Sequence, residues 1–188
     1  MTDGRDEAFG DALLVRARNA IGGEFGLPGR PEPHDERMTA PGATFVTLTQ
    51  NGELRGCIGS LEPRRSLDQD VRDNARAAAF GDPRFAPLGR EELPRTRIEV
   101  SLLSPSAPID FADEDDALRQ LRPGIDGVIF SHGHRHATFL PQVWQTLPEP
   151  RQFLAQLKRK AGLPAEFWND AVRLSRYIVE KWKENGNE

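Results

Sequence analysis

The chain has 188 residues, of which 37% are hydrophobic and 29% charged, with a formal net charge of -4 and a pI near 5.7, a balance that fits one globular domain or two small lobes sharing a core. An acidic chain lacks the basic footprint of a nucleic-acid-coating protein, and its single cysteine, Cys57, excludes an internal disulfide. No apolar run approaches the roughly 20 residues of a membrane span, and the polar start MTDGRDEAFG lacks the regions of a signal peptide, so a cytoplasmic protein without nucleic-acid or membrane partners is expected.

In chain order, residues 6–21 read as a helix. Phe9, Leu13, Ala17 and Ala20/Ile21 fall on one stripe, and Asp6 and Glu7 lie near the start, where the helix dipole favours acids. Residues 22–42 contain five glycines and four prolines, which defeat both regular periods and read as a strap returning the helix to the main body. In ATFVTLTQNGELRGCIGS, residues 43–60, two β-prone runs flank Asn51-Gly52, a pair suited to positive φ, and predict a hairpin. Residues 66–80 read as a helix, with Ser66 and Gln69 at capping-box spacing and Leu67, Val71, Ala75 and Ala78/Ala79 on one face. Gly81 and Pro83 end it.

RIEVSLLS, from Arg97, alternates as a strand, with Ile98, Val100 and Leu102 on one face and Glu99 and Ser101 on the other. A short acidic helix near residues 113–121 and a second hairpin turning around His132-Gly133 follow. Residues 150–161 form a further helix with Phe153, Leu154 and Leu157 inward, stopped by Gly162. AVRLSRYIVEKW, from Ala171, reads as a last strand, and Trp144, Phe153, Trp168 and Tyr177 as core. Hairpins separated by helices, without βαβ repetition, give an α+β fold class.

Three stretches carry residue types capable of chemistry. In LRGCIG a strand places Arg55 and Cys57 on one face and Gly56 and Ile58 on the other. A guanidinium beside a thiol favours the thiolate and can hold an anionic substrate, and the flanking glycines permit close approach. The structural alternative is a small buried cysteine, with Arg55 pairing to a carboxylate. In SHGHRH, His132, His134 and His136 alternate, but Gly133 breaks their common face and no fourth ligand is evident, so no metal is expected. FADEDDALRQ lacks the Gly and terminal Glu of an EF-hand loop and reads as a solvated helix start. No G-x-S-x-G, P-loop or dinucleotide fingerprint appears, and no cofactor is assigned.

LRGCIGS, then DPRFAPLGREELP and IEVSLLS, then GIDGVIF, ATFLPQVW, FLAQLKRKAGL with FW, and RYIVEKW stand in an order that resembles the AMMECR domain family, also called protein A of the AmmeMemoRadiSam system. The resemblance covers about residues 8–183, inside a domain placed at 6–183; Ser60 stands where a threonine is common. It implies two unequal lobes and a mainly antiparallel sheet covered by helices, with LRGCIG in the larger lobe close to the groove between them. It also implies two companions, a Memo-like protein and a radical SAM enzyme. The motif positions carried over are Leu54, Arg55, Gly56, Cys57, Ile58 and Gly59, with Asp82, Arg84, Phe85 and Glu99 beside them. Two readings follow. In the first the chain is an enzyme or enzyme component, with Cys57 reactive, Arg55 its electrostatic partner and His136 or Glu99 as a base. In the second it is a non-catalytic binding or scaffold module using the groove. Gly56, Gly59, Asp82, Arg84 and Glu99 are the candidate binding residues.

Overall fold

The computed structural model describes residues 4–185. In chain order the first elements are α1 (Gly4–Glu24), β1 (Pro41–Gln50), β2 (Glu53–Gly59), β3 (Arg65–Ser66), α2 (Leu67–Phe80) and β4 (Arg97–Leu103). Then come β5 (Ala107–Ile109), α3 (Glu114–Gln120), β6 (Gly127–His132), β7 (Arg135–Phe139), α4 (Pro150–Lys160), β8 (Arg173–Tyr177) and β9 (Val179–Lys183). The α+β class holds, with antiparallel sheets and helices in two units of unequal size. The larger runs to Leu103 and resumes at Glu180; the smaller is Ser104–Val179.

The larger unit is built on the sheet β2-β1-β4-β9, with β3 pairing beside β1. The apolar stripes of α1 and α2 become its core: Phe9, Leu13, Ala17 and Ile21 join Leu67, Val71, Ala75 and Ala78 over Val46, Leu48, Ile98 and Val100 of the sheet. Ser66 caps α2 by accepting from the Gln69 N–H, while the Gln69 side chain turns to Asp73, so only half of the capping box forms. The stretch expected as a strap over 22–42 is shortened by α1, which runs to Glu24, and by β1, which starts at Pro41, and α1 holds what lies between. Asn19 binds both the N–H and the C=O of Arg30, and Arg16 donates to the Pro33 carbonyl.

Asn51 and Gly52 adopt φ of 51° and 83° between the paired Gln50 and Glu53, so the β1–β2 turn has positive φ at both central positions. The ladder above it slips: Thr49 opposes Leu54, but Leu48 opposes Gly56. Arg55 is therefore the extra residue of a β-bulge, and strict alternation does not carry from Arg55 to Cys57. Beyond Gly59, Ser60 is tied to Asp70, a buried carboxylate of α2 that also accepts from the Thr44 N–H and hydroxyl, the Asn74 amide and Arg65. Five donors satisfy that buried charge and fix the end of β2 against β1, β3 and α2.

The smaller unit is the sheet β5-β8-β6-β7 with α3 and α4. Trp144 stacks on Phe153 with centroids 3.7 Å apart, and Gly162, at φ +80°, ends α4. Lys158 is fully buried, with its ammonium held by Glu114, the Ala165 carbonyl and the face of Trp168. Two expectations need correction. The predicted last strand is two, β8 in this sheet and β9 in the other. The β6–β7 turn consists of Gly133-His134, since His132 still pairs with Arg135; positive φ falls on Gly133. Among the described residues no helix is long and apolar enough to cross a membrane.

Candidate functional site

β2 is the terminal strand of its sheet, and the loop after α2 folds back along its free side. Cys57 lies opposite Thr47, whose hydroxyl donates to Sγ at 3.3 Å. The Cys57 N–H donates to Asp82 Oδ2 at 2.9 Å, and Arg84 Nη2 donates to the Cys57 carbonyl at 3.3 Å. Arg84 closes the ring on Asp82, Nε to Oδ1 at 2.9 Å and Nη2 to Oδ2 at 2.6 Å, while its own N–H reaches Oδ1 at 3.1 Å. A bidentate guanidinium–carboxylate pair thus grips both polar groups of one strand residue. The Arg84 contact, followed by the Cys57 N–H, holds the Asp82 carboxyl far below the usual carboxylate range. Asp82 in turn keeps Arg84 charged, with Cys57 a smaller contributor.

Arg55 does something else. Its Nε and Nη2 bind the two carboxylate oxygens of Glu92 at 3.0 Å each, and Nη1 donates to the Ala86 carbonyl at 3.0 Å. Glu92 also accepts from the Gly89 N–H at 2.8 Å and from Gln50 at 3.2 Å. Arg55 first, then Gly89, bring its carboxyl down to about 2. The expected Arg55–Cys57 partnership is thus replaced: the guanidinium bonded to Cys57 belongs to Arg84, and Arg55 follows the structural alternative. The Phe85 ring lies near both, 5.9 Å from the Arg55 guanidinium and 5.5 Å from that of Arg84.

The motif glycines answer to neighbours within the fold. A Cβ on Gly56 would stand 2.1 Å from the Ala78 carbonyl oxygen, so β2 and the last turn of α2 approach backbone to backbone. A Cβ on Gly59 would meet the Phe45 ring at 2.2 Å. Glu99 lies on the other side of Thr47 from Cys57, in the same cross-strand row, with Lys181 Nζ 3.7 Å from its carboxylate. His136 sits on β7 of the smaller unit, opposite Ser131. His132 contacts Asn169 at 3.2 Å and the Phe167 ring. Among the described residues no group of three His, Cys, Asp or Glu side chains is placed to share a metal ion.

The structure therefore gathers Cys57, Asp82 and Arg84 directly, brings Arg55 to the same loop through Glu92, and leaves Glu99 one strand beyond. Two members escape sequence reasoning. Counting back from the Asn51-Gly52 turn puts Val46 opposite Cys57; only the bulge brings Thr47 there. Glu92 is 37 residues from Arg55 in the chain, and the acidic pair in REEL was its sole signal.

The family model for AMMECR1 matches residues 15–182. A protein of Methanothermobacter thermautotrophicus is 38% identical over 97% of this chain and 96% of its own length. One of Saccharolobus solfataricus is 35% identical over 97% of this chain and 86% of its own. Among solved structures, that of an uncharacterised protein from Pyrococcus horikoshii superposes with a TM-score of 0.75 at 31% identity, covering 93% of this chain and 91% of that one.

Proposed function

We propose, for a chain that belongs to the AMMECR1 family, that the free edge of β2 is a thiol-based active site with Cys57 Sγ as the reacting atom. The observation that supports this is the double grip on Cys57. Asp82 and Arg84 immobilise its N–H and C=O while the side chain is left half-buried with, among the described residues, one hydroxyl donor, Thr47. A reacting atom gains from such fixed geometry, because orientation is settled before substrate arrives. In this reading Asp82 and Arg84 are positioning residues, Arg55 and Glu92 brace the loop that carries them, and the chain works in one pathway with a Memo-like protein and a radical SAM enzyme.

Cys57→Ser tests the reading. Thr47 can donate to a serine oxygen as it does to sulfur, so the variant is expected to melt close to the parent yet fail to complement a strain lacking the gene. Stoichiometric alkylation of Cys57 in the folded protein should abolish activity in the same way. Full complementation by Cys57→Ser would overturn the assignment. Recovery of the Memo-like and radical SAM proteins with the tagged chain from its native cells tests the pathway separately.

A second reading draws on the fact that Gly56, Gly59 and Arg55 each serve packing or pairing. The signature would then be a staple in a non-catalytic binding or scaffold module. It predicts that Cys57→Ser keeps activity and that Arg84→Ala lowers the melting temperature without changing activity per folded molecule.

A further inference from the structure

A second feature of the larger unit lies away from the signature hexapeptide. A concavity of about 740 Å³ is bounded by α1, the strap, the turn after β1 and the ends of β4 and β9. Its floor is neutral: Arg18 of α1 grips the Glu184 carboxylate, which also accepts from the Ile98 N–H at 3.0 Å. The remaining Arg18 donors go to the carbonyls of Leu93, at 2.9 Å, and Thr96, at 2.7 Å. Neither member of that pair has a charge left over for a ligand.

The rim is different. Arg30, Arg95, Arg97 and Lys183 line it, against one carboxylate, Asp11. Among the described residues the charged ends of Arg30, Arg97 and Lys183 have neither a hydrogen bond nor a carboxylate within ion-pair distance. Arg95 reaches only Glu92, at 4.0 Å, whose two oxygens Arg55 already binds. Elsewhere guanidiniums are mostly closed onto carboxylates, as with Arg16, Arg37, Arg65, Arg72, Arg84 and Arg122. Setting aside the Arg18–Glu184 pair, the rim has four cations to one anion among the described residues, against the balance of a chain of net charge -4. The backbone of Arg30 is pinned at both polar groups by Asn19, so this part of the rim is held in place without a ligand.

We propose that this concavity binds a compact polyanion bearing two or more phosphate groups. Arginine forks match phosphate oxygens, and cations spread around a rim favour several anionic groups over one. Among the described residues no aromatic side chain lines the concavity, so they offer no platform for stacking a nucleobase; the ligand is a small polyphosphorylated molecule rather than a nucleic acid.

Isothermal titration of the full chain with pyrophosphate at low ionic strength tests this. The expected result is saturable one-to-one binding, tighter than for inorganic phosphate and weakened by added salt. The double variant Arg97→Gln/Lys183→Gln should weaken it about tenfold while leaving the melting temperature unchanged, because neither side chain has a partner among the described residues to lose. Arg151→Gln, an exposed ion-paired arginine of the smaller unit, should leave binding untouched. No saturable binding of pyrophosphate, or an equal loss in Arg151→Gln, overturns the site. Tighter binding of citrate than pyrophosphate overturns the phosphate assignment. Tighter binding of a short single-stranded RNA, with the same loss in the double variant, overturns the small-molecule one.

Discussion

Along the free side of β2, Arg55 closes onto both oxygens of Glu92 and Arg84 onto both oxygens of Asp82. Around the concavity at α1, β4 and β9, Arg30, Arg97 and Lys183 present cations that no carboxylate meets among the described residues. Cationic side chains do opposite work a few strands apart. The arginine inside the signature hexapeptide looks functional in the sequence, yet its charge is consumed by the scaffold. Arginines outside any signature are the ones left for a ligand. Burial and pairing, rather than membership of a motif, decide which is which.

The comparison breaks most visibly at Gly56. Its missing Cβ lets two backbones meet, and neither β2 nor α2 can yield by rotating a side chain. Gly56→Ala should cost about 3 kcal/mol or more and lower the melting temperature by roughly 10 °C, measured by calorimetry. A variant that melts like the parent would show that the hexapeptide is not scaffold at this point.

Glu92→Ala tests the paired side of the contrast. It strands a half-buried guanidinium without its carboxylate and should cost about 1–3 kcal/mol. The same pair sets an acid dependence. Glu92 titrates at about 2 in the fold against an ordinary 4.5, so its contribution is fully present above pH 4.5 and disappears as pH falls through about 2. Chemical denaturation across that window should show the parent losing stability and Glu92→Ala losing less of it. The smallest effect is expected on the unpaired side: Arg97→Gln should change stability by no more than about 0.5 kcal/mol, because none of the described residues pairs with that charge. A drop as large as that of Glu92→Ala would erase the distinction between the two regions.

Local signals in the sequence carried much of the fold. The stripe of Phe9, Leu13, Ala17 and Ile21, the Asn51-Gly52 turn, the Ser66 cap and the Gly162 stop all depend on residues within a few positions of one another. What stayed hidden depends on pairing over distance. Strict alternation predicts a shared face for Arg55 and Cys57, and a one-residue bulge removes the basis for it. The run from Ala171 to Trp182 reads as one strand because its β-prone residues continue through Ile178, while the change of sheet is a matter of partners that composition does not encode. Cys57, Asp82 and Arg84 were legible as candidates; the grip of the last two on the main chain of the first was not, since it needs the loop after α2 to run beside β2.

That loop has a consequence for how the protein behaves in a crowd of its own copies. A terminal strand offers unpaired N–H and C=O groups to any extended chain that drifts alongside, the usual route from folded monomers to edge-to-edge aggregates. At Cys57 both groups are taken, the N–H by Asp82 and the C=O by Arg84. The ion pair that holds the main chain at Cys57 thus also denies an incoming strand two hydrogen bonds at that position.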